Sequence, residues 1–84
     1  MTVRVYTTPA CPQCALTKMW LDKKGVHYTT VDLADPANVN DYEAIRALGY
    51  KSAPVVAIGT DYEAHWSGFR PDLLDEHCLE PTED

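Results

Sequence analysis

Thr2-Val3-Arg4-Val5-Tyr6-Thr7-Thr8-Pro9-Ala10-Cys11-Pro12-Gln13-Cys14, residues 2–14, changes its periodicity halfway along. Val3 and Val5 alternate with Arg4 and Tyr6, the period-two pattern of a strand, and Thr8-Pro9-Ala10 ends it with loop chemistry. From Pro12 to Lys24 the apolar residues Leu16, Met19 and Trp20 recur at helical spacing; Pro12 suits a first helical position and Gly25 the position after the last turn. The stretch predicts a strand handing over to a helix, with Cys11 and Cys14 at the junction.

Working outward, His27 to Leu33 is rich in tyrosine, threonine and valine and reads as a second strand. Asp35-Pro36 is a helix start with Asp35 as cap, and a stripe of Val39, Tyr42, Ile45 and Leu48 carries that helix to Gly49. Pro54 to Ile58 and Tyr62 to Trp66 flank Gly59-Thr60-Asp61, the spacing of an antiparallel hairpin. Arg70-Pro71-Asp72 opens a last helix that would bury Leu73, Leu74 and Cys78. The order β-α-β-α-β-β-α joins a right-handed parallel βαβ unit to a hairpin and predicts an α/β fold, a four-stranded mixed sheet of the thioredoxin-like kind.

With 84 residues and 45% apolar content, one packed domain over residues 1–79 is expected, followed by a short acidic tail, 80–84. A net charge of −6 opposes attraction to phosphate, so nucleic-acid and membrane-surface binding are set aside. No run reads as a signal peptide or membrane span, so a cytoplasmic location is expected. Three cysteines are too few and too oddly numbered for a disulfide framework, and any disulfide in a reducing compartment would be transient.

The position of the pair suggests its chemistry. At a helix N-terminus Cys11 faces unpaired backbone N–H groups and the positive end of the macrodipole, both of which favour a thiolate. Three residues on, Cys14 returns to the same side, near enough to close a small disulfide ring and resolve a mixed disulfide. Lowering a thiol pKa from about 8.5 to about 7 raises the neutral-pH thiolate roughly tenfold, and the lost nucleophilicity takes back a factor of about five. The larger benefit is to the leaving group when Cys14 attacks. Cys11 thus reads as the exchanging sulfur of a thiol–disulfide oxidoreductase.

A zinc site is the competing reading, with Cys78, His65 and His77 as further ligands, but no second CxxC or paired-histidine motif accompanies it. Cys78 reads as a small buried hydrophobe, and no chemistry is assigned to the histidines. Asp32, Asp35 and Asp41 lack the pattern of a calcium loop and read as caps and solvated surface. Trp20, Tyr28 and Tyr42 are expected in the core.

Three segments, Val5 to Cys14, Gly49 to Val56 and His65 to Asp72, together resemble the glutaredoxin-like NrdH redoxins; Trp66-Ser67-Gly68-Phe69-Arg70-Pro71 is the most specific part. The resemblance implies electron donation to the large subunit of a class Ib ribonucleotide reductase and re-reduction by thioredoxin reductase. No cofactor would be bound, since NADPH and FAD act only through that reductase. It further implies that Pro54 is cis, with Ala53 offering backbone contacts, and that Trp66, Ser67, Gly68, Phe69 and Arg70 form a docking surface. On the residues alone, a hairpin end with two core aromatics fits those positions equally well. Arg70 would either pin this loop or solvate the helix start.

Two residues depart from the family's pattern. Pro12 stands where a bulkier aliphatic residue is usual, and it removes an N–H near the thiolate; Thr8 replaces a common lysine. With Gln13 they are the expected tuners of the redox couple. Cys11-Pro12 also occurs in glutathione-dependent glutaredoxins, the second functional reading, and a non-catalytic zinc or iron–sulfur module is the third. A monomer is expected.

Overall fold

The computed structural model describes residues 2–60 and 62–78. Its elements are β1 (Val3–Thr7), α1 (Pro12–Lys23), β2 (Thr29–Asp32), a 3-10 turn (Pro36–Asn38), α2 (Val39–Ala47), β3 (Val55–Ile58), β4 (Ala64–Ser67) and α3 (Pro71–Cys78). The strands are ordered β2-β1-β3-β4; β1 runs parallel to β2 and antiparallel to β3, and β3 runs antiparallel to β4. This is the thioredoxin-like arrangement expected from the element order.

The pleat sorts side chains onto two faces. Val3, Val5, Val56, Ile58 and Trp66 pack with Leu21 of α1 and with Leu74 and Cys78 of α3. On the opposite face Tyr6, Val55 and Ala57 pack with Ile45 of α2. Helices therefore cover both faces of β3, which explains why Val55 to Ile58 is an unbroken apolar run.

The helices keep their places but not their expected stripes. On α1 the buried residues are Cys14, Thr17 and Leu21, while Leu16 is 45% and Met19 64% exposed. Thr17 is polar, so an apolar stripe does not include it; its hydroxyl donates to the Gln13 carbonyl at 2.9 Å, and it enters the interior satisfied. Trp20 and Tyr28 are only partly buried, packed at the edge of the core.

The second helix is interrupted where Asp35 caps the 3-10 turn through the Ala37 N–H (3.0 Å), and α2 begins only at Val39. That break shifts the phase of the stripe. Ile45 alone is buried, whereas Val39, Leu48 and Tyr42 are exposed, Tyr42 by 41%.

Strand β2 is shorter than the expected 27–33, and Tyr62 and Glu63 belong to the hairpin's turn instead of its second strand. Arg4 organises that turn: its guanidinium donates to the Gly59 carbonyl and lies 4.8 Å from the Tyr62 ring centre and 5.7 Å from that of Tyr6. The domain's end at residue 79 and the tail 80–84 lie outside the described residues.

Candidate functional site

Strand β1 ends against the sheet's centre and releases the chain through Thr8, Pro9 and Ala10, all exposed, into the first turn of α1. Ala10 holds a left-handed backbone (φ 54°), which costs an L-residue roughly 1–2 kcal/mol, immediately before the cysteine it positions. Cys11 is the N-cap of α1: extended in backbone, its sulfur accepts the Cys14 N–H at 3.1 Å. One of the otherwise orphaned donors at the helix start thus points at Sγ, where a thiolate's charge would develop. Pro12, next in line, contributes none.

Cys11 and Cys14 are disulfide-bonded, with Cα atoms 5.2 Å apart. Their environments differ. Cys11 is half-buried and reachable, whereas Cys14 is only 2% exposed. From outside the protein Cys11 Sγ is therefore the more accessible of the two sulfurs, with Cys14 behind it.

Two further segments, residues 52–54 and 67–69, come together beside the pair. The Ala53–Pro54 peptide bond is cis, as the resemblance implied, and the Pro54 carbonyl accepts the Gly68 N–H at 2.8 Å. Ser67 donates to the Ser52 carbonyl at 3.3 Å. The Gln13 side-chain oxygen accepts the Phe69 N–H at 2.9 Å, joining residues 56 positions apart. Gly68 has φ +89°, and a Cβ there would lie 3.2 Å from the same Gln13 oxygen, so the loop turns tightly against α1. Gln13 was expected to tune the couple; its visible contact is with this loop, a link that spacing could not reveal.

The surface expected from the tryptophan run is divided. Trp66 is only 5% exposed; it belongs to the core and stacks on His77, ring centres 5.6 Å apart, so its indole is withdrawn from any docking face. Ser67, Gly68 and Phe69 remain partly accessible. Arg70 is exposed and pairs with Asp72 through two hydrogen bonds (3.1 and 2.9 Å), which holds the Asp72 carboxyl below its ordinary pKa. Arg70 is thereby tied to the first turn of α3.

The residues that a zinc reading would add are placed elsewhere. His65 hydrogen-bonds Tyr50 at 2.8 Å, His77 lies on Trp66, and Cys78 is buried, its thiol pushed up to about 11 by that burial. Among the described residues, no three metal-ligating side chains are gathered.

A hollow of about 540 Å³ opens beside Cys11, lined by the Thr8–Gln13 loop, Leu33 and Ala34, the α2 residues Tyr42, Ile45 and Arg46, and Tyr50 to Ala53. Sequence reading missed most of this lining. Tyr42 is exposed and not core, Arg46 carries no motif, and Lys51 lies within the Gly49 to Val56 segment without a role of its own; the available signal is Lys51 standing two residues before Ala53-Pro54.

The glutaredoxin family profile matches residues 3–63. A glutaredoxin-like protein NrdH from Salmonella typhimurium is 36% identical over 84 residues, covering 98% of this chain and 93% of that protein. The gene 56 protein of Mycobacterium phage D29 is 35% identical over 74 residues, 88% of this chain and 79% of that one. Among solved structures, the NrdH-redoxin of Escherichia coli, described as having a thioredoxin-like activity profile, superposes with a TM-score of 0.84 at 32% identity, covering 99% of this chain and 100% of its own. No helix among the described residues is long and apolar enough to cross a membrane.

Proposed function

Since this chain belongs to the glutaredoxin family and, within it, to the NrdH glutaredoxin-like thiol–disulfide oxidoreductases, we propose that it supplies electrons to a ribonucleotide reductase and is re-reduced by thioredoxin reductase. The observation that carries the chemistry is the asymmetry of the pair: Cys11 is reachable at a helix cap, and Cys14 is buried behind it.

The cycle follows from that asymmetry. The Cys11 thiolate attacks one sulfur of the target's disulfide, releasing the other as a thiolate and forming a mixed disulfide. The Cys14 thiol loses its proton and attacks Cys11 Sγ, expelling the target's second sulfur. Two electrons pass to the target, two protons complete its dithiol, and Cys11 and Cys14 end as a disulfide. NADPH, through the flavin of the reductase, restores the dithiol; the chain itself binds no cofactor and works as a cytoplasmic monomer.

Ala53, Pro54, Ser67, Gly68, Phe69 and Arg70 form the partner-facing rim, with Trp66 supporting it from the core. Thr8, Pro12 and Gln13 set the couple: the first two by omitting a cation and an N–H, the last by holding the rim. The thioredoxin-like profile of the Escherichia coli relative supports thioredoxin reductase as the electron source. Cys11-Pro12 is the feature that favours glutathione instead.

The test follows NADPH oxidation with a disulfide substrate, comparing thioredoxin reductase with glutathione plus glutathione reductase. Turnover is expected with the former, and turnover through glutathione alone would overturn the choice. Cys11→Ser should abolish disulfide reduction, and Cys14→Ser should trap the mixed disulfide with the ribonucleotide reductase. A Cys11→Ser protein as fast as the parent would sink the mechanism.

A further inference from the structure

Building on the redox role just proposed, we infer that the hollow beside Cys11 receives an acidic protein segment, one whose Asp or Glu side chains flank the disulfide that Cys11 attacks. The charge around the hollow is the reverse of the chain's. The protein carries 13 acidic and 7 basic residues, yet the hollow is lined by two of its cations, Arg46 and Lys51, and by none of the described carboxylates. Among the described residues neither cation is committed to an ion pair. Arg46 is instead held in place by donating to the Tyr42 hydroxyl at 2.7 Å, which leaves most of its five donors for an incoming acceptor.

Shape and position point to a segment of a protein. Apolar walls from Leu33, Tyr42, Ile45 and Tyr50 enclose about 540 Å³, within the rough 300–1,000 Å³ range of binding pockets, and the hollow is continuous with Cys11 and Ala53. An occupant lying there presents its own sulfur to Cys11 while its carboxylates reach Arg46 and Lys51. The chain's net charge of −6 opposes approach from afar, but at about 0.1 M salt the Debye length is about 10 Å, so the contact-range cations prevail within the hollow. The same two charges select among partners by penalising a basic flank.

The reaction tested is a plain exchange: a peptide disulfide and the reduced chain become a peptide dithiol and the Cys11–Cys14 disulfide, two electrons moving between them. Three peptides of one length, each with a Cys-x-x-Cys disulfide flanked by Glu, Gln or Lys, are mixed with the reduced full chain at about 0.1 M salt, with oxidised glutathione as a fourth substrate. The Glu peptide should be reduced about fivefold faster than the Gln peptide, the scale of one or two exposed charge pairs, and the Lys peptide more slowly than either. The Glu-to-Gln ratio should fall towards one in the double variant Arg46→Gln/Lys51→Gln and persist in Lys23→Gln, whose cation lies in the last turn of α1.

Equal rates for Glu and Gln, or a ratio that survives the double variant, would overturn the inference while leaving the redox role intact. Glutathione disulfide outpacing the Glu peptide would also overturn it, making the hollow a seat for a small thiol. Failure to reduce any of the four substrates would defeat the redox role and this inference together.

Discussion

Cys78 offers a quantitative test of the division between working and structural thiols. It is 1% exposed, packed among Leu74, Trp66 and the valines of β1, and burial lifts its pKa from 9.0 to about 11. Two pKa units are about a hundredfold in thiolate, the reactive form, at any pH well below 9. In the reduced protein at pH 8, a pulse of iodoacetamide followed by intact mass measurement should add one label rapidly, at Cys11; the buried Cys14 should follow more slowly, and Cys78 at least about a hundredfold more slowly than Cys11, whereas in denaturant all three should label together.

The same shift carries a pH dependence. The folded state keeps a proton that the unfolded chain gives up above its own pKa, so the stabilisation is whole below pH 9.0 and is lost as pH rises towards about 11. By pH 10 the loss relative to pH 7 is about 1.4 kcal/mol. Urea midpoints at the two pH values should show that loss in the parent and not in Cys78→Ala, whose absolute stability is lower at both. Tyr6, also raised by burial and by its bond to Tyr62, adds its own fall as pH rises through 10, and it does so equally in both proteins. Three thiols labelling at comparable rates, or equal pH slopes in parent and variant, would refute the placement of Cys78 in a dry core.

Other expectations follow from single residues. Trp66→Ala should cost about 3–5 kcal/mol by urea titration, because the indole is core; a variant of unchanged stability that only weakened partner binding would restore the docking role. Gln13→Ala removes the acceptor of the Phe69 N–H, so amide exchange at Phe69 should accelerate about fivefold, as losing about 1 kcal/mol implies. Met19→Gln should change stability by less than about 0.5 kcal/mol, since that side chain faces water; a loss of several would mean that the face is covered.

Much of this protein was legible from local chemistry. Strand alternation at Val3 and Val5, the Asp35 cap, the Gly59 turn and the unbroken Val55–Ile58 run each report a short-range preference, and together they gave the element order and hence the topology. Cys11 and Cys14 were equally plain, because a helix cap and a three-residue spacing are properties of consecutive residues. Stripes on the helices were less so. An α-helix offers several apolar arcs, and which one turns inward is set by the sheet beneath it, so Thr17 is buried and Met19 is not.

The surroundings of the pair were decided only by the fold. Cys78 shares no local signal with Trp66, yet the pairing of β3 with β4 and the return of α3 bring them into one core. Gln13 meets Phe69 across 56 residues, and Arg46 and Lys51 meet Cys11 because α2 and the segment before Pro54 border the same hollow. Spacing along a chain determines which residues can act together within one turn of helix or one strand. The surroundings of this redox pair are assembled from separate segments of the chain, and only their packing around the sheet determines them.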